Sequence, residues 1–258
     1  MALQPQIPDP IPPPMPPPLS APEEKLNELQ RILGVFFSPA KAFVDIARRP
    51  RWWIPILLIG IASSIYLNAY SQRVGFERLI RQTLDQSSRA DNMTAQQRQQ
   101  AIAVGASVAR IVAYGGAIVT SVIGVFLTAA VMIFIANNLM GGKIRFNSMM
   151  GIVSYAFLPQ LLVVALSMLV LYLKAPDDFD LRNPLLFNAA AFVPAGSAQW
   201  IKSLASSFDL FSFWIMGLIA CGISAASPKI KTIKAFGGVL FAWALFVALR
   251  TAYVAAFG

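Results

Sequence analysis

Histidine is absent from this chain of 258 residues, and Cys221 is its single cysteine. A disulfide framework, a zinc site and a Cys-His nucleophile depend on these two residue types, so none of them can be assembled within the chain. Charged residues are also scarce, at 13%, whereas soluble domains contain about 25%. These shortages exclude the commonest metal and thiol chemistries and argue against a soluble protein.

Apolar residues take the place of the missing charges. They make up 57% of the sequence, and the mean hydropathy is +0.61. A net charge of +9 can indicate nucleic-acid binding, but the basic residues lie mostly between apolar runs, where they face lipid headgroups. We therefore expect an integral membrane protein whose partner is the lipid bilayer, with no nucleic-acid partner.

Five apolar runs are long enough, or nearly so, to cross a bilayer. About 30 Å of hydrocarbon requires roughly 20 helical residues. The sequence therefore predicts an all-α membrane protein with a five-span transmembrane helical bundle over residues 52–258. The predicted spans are residues 53–70, 111–136, 150–173, 210–226 and 236–257.

The chain begins with a proline-rich segment, residues 1–19. Proline fixes φ and removes a backbone donor, so this tail is predicted to be disordered, with polyproline II character. Its Pro-x-x-Pro spacings are compatible with docking to a protein partner, although a solubilising spacer is the favoured interpretation.

Residues 20–51 are predicted to form two amphipathic helices. Ser20 and Glu23 have the spacing of a capping box. Ser38-Pro39 starts the second helix, and Pro50 stops it.

We expect these two helices to lie in the membrane interface. Arg31 is placed on the polar face, and Phe36, Phe37 and Phe43 are placed toward the acyl chains. A cytosolic docking surface for a protein partner is the alternative. The segment ends in Arg51-Trp52-Trp53, a cation followed by two aromatic anchors.

Basic residues favour a cytosolic N-terminus and an outer C-terminus. They are concentrated before the first run and in the second and fourth loops. Residues 71–110 oppose this trend, because this topology places six arginines outside. We expect the first span to continue into this loop and a helical outer hairpin to follow, with a capping box at Thr94 and Gln97.

Small residues recur at every fourth position in two runs and permit close helix contacts. Packing within one chain is favoured over a homodimer face. The positions are Gly116, Thr120, Gly124 and Thr128 in the second run, and Gly217, Cys221 and Ala225 in the fourth.

Four polar residues form the candidate intramembrane polar site. Arg250 is the only formal charge inside a run, and Asp209 begins the fourth run on the same side of the membrane, so we expect them to pair or to share a water-linked site. Tyr155 and Gln160 flank Pro159, which predicts a kink, and they either line a cavity or bond across helices. Trp214 is a further interface anchor. A structural role and a functional role for the site both stay open.

Several short motifs occur in a fixed order along the chain. They are Leu33 to Pro39 with Phe43, Arg49 to Pro55, Gly141 to Phe146 with Tyr155 and Pro159, and Asp209 to Trp214 with Gly222. Together they resemble the bacterial branch of the Yip (Ypt/Rab-interacting protein) membrane domain family. The resemblance implies five spans, a cytosolic N-terminus and a short outer C-terminus, and we expect a location in the bacterial cytoplasmic membrane. Eukaryotic members are associated with small GTPases and vesicle traffic, whereas the bacterial branch has no settled activity to transfer.

Two functional classes remain. The first is a non-enzymatic membrane scaffold or adaptor, and the second is a permease-like protein for a small solute or lipid. Ion-coupled transport is disfavoured because Asp, Glu and His are absent from the span interiors. We predict no enzyme activity and no cofactor, because no nucleophile with a base and no metal cluster lies at membrane depth.

Overall fold

The computed structural model describes residues 25–257 except 86, 88–91, 177, 178, 180, 182, 186 and 195. The proline-rich tail and the capping box predicted for Ser20 and Glu23 lie outside these residues. The described residues form ten α-helices and no strand beyond one isolated bridge. The helices are α1 (Glu28–Phe37), α2 (Pro39–Arg48), α3 (Trp53–Arg73), α4 (Phe76–Asp85), α5 (Ala95–Phe134), α6 (Phe146–Ala156), α7 (Pro159–Leu173), α8 (Gln199–Ser206), α9 (Leu210–Ala226) and α10 (Thr232–Phe257).

Four helical segments are long and apolar enough to cross a membrane. Helix α9 is shorter than these segments. Its 17 residues extend over about 25 Å, which is less than the roughly 30 Å of hydrocarbon in a bilayer. Large apolar side chains on the outside of the bundle are exposed, as contact with lipid requires. The part of the chain that the structure describes is therefore helical, with four candidate spans, Trp53–Arg73, Ile118–Leu139, Phe146–Leu173 and Thr232–Ala256.

Helices α1 and α2, the N-terminal helix pair, are delimited by local signals. Helix α1 follows Asn27, whose side chain accepts a hydrogen bond from the Gln30 backbone N–H at 2.9 Å. The Gln30 side chain accepts one from the Asn27 N–H at 2.8 Å, which completes a capping box. Helix α2 begins at Pro39 and ends before Pro50, as predicted.

One face of α2 is buried against α6 and α9. Ile46 is fully buried, and the Ser148 hydroxyl of α6 donates to the Ala47 carbonyl at 2.7 Å. Phe43 was predicted to contact acyl chains and Arg31 to lie on an exposed face. Both predictions are wrong, because the side chain of Phe43 is 0% exposed and Arg31 is 2% exposed. The N-terminal helix pair thus belongs to the core of the bundle.

The first span continues only three residues past its predicted end at residue 70. Helix α3 ends at Arg73, and Gly75, at a φ of 85°, turns the chain into α4. This left-handed conformation is accessible to glycine at little steric cost. The capping box of Thr94 and Gln97 is confirmed, with a hydrogen bond of 3.2 Å to the threonine hydroxyl, and it starts the 40-residue helix α5.

The third candidate span consists of two helices. Helix α6 ends at Ala156 and α7 begins at Pro159. Proline supplies no N–H for the preceding turn, so the helical hydrogen bonds are interrupted there. The predicted break at Pro159 is confirmed.

The apolar interior is divided into two clusters. The larger one joins α1, α2, α3, α5, α6, α9 and α10, with Met149 and Ile152 of α6 fully buried. The smaller one joins α3, α4, α5 and α7 around Tyr70. Helices α3 and α5 contribute buried residues to both clusters and so connect the two parts of the bundle.

The glycines at the closest helix contacts differ from the predicted ones. Outside its own helix backbone, no described atom lies within 4 Å of a Cβ placed on Gly124 or Gly217, so predicted packing is wrong at both. In contrast, a Cβ on Gly222 would come 2.3 Å from Ile152 Cγ2. Gly60, against Ile118, and Gly151, against Pro50, make similarly close contacts.

The other small residues have mixed surroundings. A Cβ on Gly116 would meet only Val112 and Thr120 of its own helix among the described atoms. Thr120 is exposed and Thr128 is half-buried. Cys221 and Ala225 pack against the larger apolar cluster. The stripe on α9 therefore contributes to packing through Cys221 and Ala225.

Two glycine substitutions within α9 test this arrangement. Gly222→Ala should destabilise the protein by about 1–3 kcal/mol, because the new methyl group overpacks the contact with Ile152 and Phe43. Gly217→Ala should cause no loss, because its methyl group enters open space. Thermal unfolding in detergent measures both, and equal effects at the two positions would contradict the packing.

Candidate functional site

A buried ion pair joins the two N-terminal helices. Arg31 Nη2 lies 2.6 Å from Asp45 Oδ2, and Arg31 Nε donates to the same oxygen at 2.7 Å. Both residues are almost fully shielded from solvent. Arg49, one turn after Asp45, adds a second cation to this carboxylate. Attraction between charges is stronger away from water, so this contact fixes α1 against α2.

Glu28 extends the ion pair to α6. Its Oε1 lies 3.0 Å from Arg31 Nη1 and 2.9 Å from Arg51 Nη1. Its Oε2 accepts a hydrogen bond of 2.5 Å from the hydroxyl of Tyr155, which is fully buried. Burial lowers the pKa of Arg31, but hydrogen bonds with Tyr155 and Asp45 outweigh this effect and raise the pKa above its usual value. The guanidinium therefore stays charged.

We call these six residues, Glu28, Arg31, Asp45, Arg49, Arg51 and Tyr155, the ionic cluster. Its carboxylates already bind two or more donors, so its geometry suits a fixed connection between helices better than acid–base chemistry. No group of three potential metal ligands occurs among the described residues.

Only some contacts of the ionic cluster could be predicted from the sequence. Glu28 and Arg31 are three residues apart, and Asp45 and Arg49 are four apart, which are the spacings of neighbours on a helix. The contact between Arg31 and Asp45 depends on how the two helices cross, and no spacing indicates it. Tyr155 was predicted as a site residue, but its partner Glu28 was not.

Three of the four predicted polar-site residues meet at one cavity. Gln160 of α7, Asp209 before α9 and Arg250 of α10 line a space of about 270 Å³. Tyr155 belongs to the ionic cluster instead. The cavity lining and the ionic cluster share no residue.

The expected direct contact between Asp209 and Arg250 is not formed. The Asp209 carboxylate caps α9, accepting from the backbone N–H groups of Phe211 and Ser212 at 2.9 and 3.1 Å. Arg250 Nη1 lies 3.5 Å from Ser207 Oγ. None of the ion pairs among the described residues includes Arg250. The two charges line one cavity without touching each other.

The cavity wall is fixed to the start of α9 by backbone hydrogen bonds. Asn188 and Asp209 form an antiparallel bridge, in which the Leu210 N–H donates to the Phe187 carbonyl at 3.3 Å. The Asn188 side chain also caps a short 3₁₀ turn, accepting from the Ala190 N–H at 3.0 Å. These bonds hold a polar loop next to Asp209.

The predicted interface anchors have different surroundings. Arg51 binds Glu28 in the ionic cluster. Trp52 packs against the larger apolar cluster, whereas Trp53 is exposed. Trp214 stacks on Phe211 at 6.4 Å and contacts Phe36 of α1 edge-on at 5.8 Å. Trp214 therefore also connects α9 to the N-terminal helix pair.

The all-helical fold and its four long apolar segments define a multi-span membrane protein in contact with the lipid bilayer. A family model, the Yip1 domain, matches residues 33–252, and the chain belongs to the Yip1 domain family. The resemblance found in the sequence is thus confirmed.

The chain is similar to a bacterial protein, "Membrane protein YknW" of Bacillus subtilis (strain 168). The two are 27% identical over 234 residues, which cover 86% of this chain and 91% of the relative. No solved structure matches the chain significantly.

Removal of one charge tests the ionic cluster. Asp45→Asn should destabilise the protein by about 3–5 kcal/mol, because it leaves the buried Arg31 with less compensation. The matched control is Asp85→Asn, which breaks a solvent-exposed pair with Arg98 and should cost at most about 1 kcal/mol. Thermal unfolding in detergent compares the two, and a loss at Asp45 no larger than that at Asp85 would contradict the assigned role.

Proposed function

We propose that this Yip1-family protein is a non-enzymatic membrane scaffold or adaptor. One observation carries the proposal. The N-terminal helix pair is fixed to the bundle by the ionic cluster, and its outer face is apolar and not covered by any described residue. Leu29, Leu33 and Phe37 on this face are 65%, 48% and 81% exposed. A rigid apolar face beside the spans suits the binding of another membrane protein.

We further propose that the protein has five spans, the four long candidate spans together with α9, which is the fourth span along the chain. Its 17 residues contain no formal charge and lie at the lower limit for a span. Five spans place the N-terminus in the cytosol and the C-terminus outside, in the orientation that the basic residues near the first span favour. In this orientation the N-terminal helix pair lies at the inner membrane surface of a bacterial cell.

Thiol labelling of intact cells tests this topology. A cysteine at Gly258, beyond the last candidate span, should react with a membrane-impermeant reagent, whereas a cysteine at Lys41 on α2 should react only after lysis. Both variants carry Cys221→Ser, so that the introduced cysteine is the single thiol. Labelling of both positions in intact cells, or of neither, would contradict five spans with a cytosolic N-terminus.

The second candidate is a permease-like protein. The cavity lined by Gln160, Asp209 and Arg250 supports it. Against it, Leu158, Ile219 and Ile223 are almost fully buried in the larger apolar cluster, which fills the bundle along α9 beyond the cavity. A through path would have to open this core, so the scaffold remains the better supported function.

Photocrosslinking in the native membrane tests the scaffold. A photoreactive amino acid at Leu33 should form a discrete adduct with one protein that also co-purifies with the unmodified chain. The matched control is Leu245 of α10, which is similarly exposed on a candidate span and should form lipid adducts alone.

Absence of a protein adduct at Leu33, or the same adducts at both positions, would contradict the scaffold. So would solute or lipid flux in liposomes that exceeds empty liposomes and is lost in Arg250→Ala. That last result would favour the permease.

A further inference from the structure

The cavity at the start of α9 holds two opposite charges that do not neutralise each other. Asp209 and Arg250 both line it, yet among the described residues Arg250 forms no ion pair and has only a long contact of 3.5 Å with Ser207. Arg250 is an exposed residue of a candidate span, and a charged side chain within a membrane span is costly unless it meets a partner or water. A ligand that brings an anion to Arg250 would supply that partner.

A simple anion fits this cavity poorly, because the Asp209 carboxylate also faces it. The carboxylate accepts hydrogen bonds from Phe211 N–H, Ser212 N–H and the Ser212 hydroxyl. Two carboxylate oxygens have about four acceptor positions, so one stays open toward a donor. A ligand with an ammonium group and an oxyanion would satisfy both ends of the cavity.

The remaining lining combines amides with aromatic rings. Gln160, Asn183 and Asn188 provide polar groups, while Phe187 and Phe211 provide an apolar side. Phe187 is 52% exposed, so the apolar side reaches the outside of the bundle. The volume of about 270 Å³ lies near the lower limit of small-molecule sites, which begin at about 300 Å³. This space accommodates a headgroup and leaves acyl chains outside.

We propose that the cavity binds a phosphoethanolamine group, with its phosphate on Arg250 and its ammonium on Asp209. The same chemistry occurs in a phosphatidylethanolamine headgroup and in free phosphoethanolamine. The exposed Phe187 beside the cavity favours the lipid, because its ring can contact acyl chains. This site goes beyond the scaffold function and does not depend on it.

Lipid binding to the full chain tests the proposal. The purified protein in detergent is titrated with phosphatidylethanolamine, phosphatidylglycerol or free phosphoethanolamine, and bound species are counted by native mass spectrometry. We expect at least roughly tenfold tighter binding of phosphatidylethanolamine than of phosphatidylglycerol, because only the former offers a donor to Asp209. Free phosphoethanolamine that binds as tightly as the lipid would assign the same site to a soluble ligand.

Three variants identify the groups that act. Arg250→Gln should weaken phosphatidylethanolamine binding by roughly tenfold or more, because the phosphate loses its cation. Asp209→Asn removes the negative charge and keeps one of the two backbone bonds of the helix cap, since asparagine is also a favoured capping residue, and it should abolish the preference over phosphatidylglycerol. Arg110→Gln, an exposed arginine on α5, is the matched control and should change nothing.

Equal binding of the two lipids by the unmodified protein would overturn the proposal. Unchanged phosphatidylethanolamine binding in Arg250→Gln, with unchanged helix content by circular dichroism, would also overturn it.

Discussion

The buried pair of Arg31 and Asp45 is the interaction on which the arrangement of this protein depends. An arginine that is 2% exposed requires an anion nearby, because an unpaired charge away from water is costly. Asp45 supplies it from α2, and Glu28 carries the network to Tyr155 of α6. Two short helices that could rest loosely on a membrane are therefore held in one position on the bundle. Phe43 is buried as a result, and a rigid apolar face of α1 is left outside.

The same arrangement explains why α9 can be short and central. The helix contacts α2, α6, α7 and α10, and Gly222 permits the close approach of Ile152. Around this part the core is solid. At the other end of α9, the carboxylate of Asp209 caps the helix, Arg250 forms no ion pair with a described residue, and both line an open cavity. Helix α9 thus has two different ends. One end is packed against the N-terminal helices, and the other borders an open cavity with separated charges.

Features governed by neighbouring residues could be predicted from the sequence. The start of α5 at Thr94, the break at Pro159 and the start of α2 at Pro39 each depend on one or two side chains acting on their own backbone. Local chemistry is sufficient there, because hydrogen bonding and fixed φ angles operate within one turn.

Features governed by helix crossings could not be predicted. Gly217 and Gly222 lie on the same helix and look alike in the sequence, yet only Gly222 meets a neighbouring side chain. Arg31 and Asp45 are 14 residues apart on different helices, so amphipathic periodicity assigned Arg31 to an exposed face. The sequence predicted that Asp209 and Arg250 pair or share a polar site, and both line one cavity. That they do not touch depends on the hydrogen bonds Asp209 makes at the start of α9, which no spacing indicates.

Backbone hydrogen exchange of the full chain in lipid nanodiscs tests the central claim, that the ionic cluster fixes the N-terminal helix pair on the bundle. Amides of α1 and α2 should exchange as slowly as those of α6, and Asp45→Asn should accelerate exchange in α1 and α2 while α6 and α9 stay protected. Rapid exchange of α1 and α2 in the unmodified protein, or no change in the variant, would contradict it.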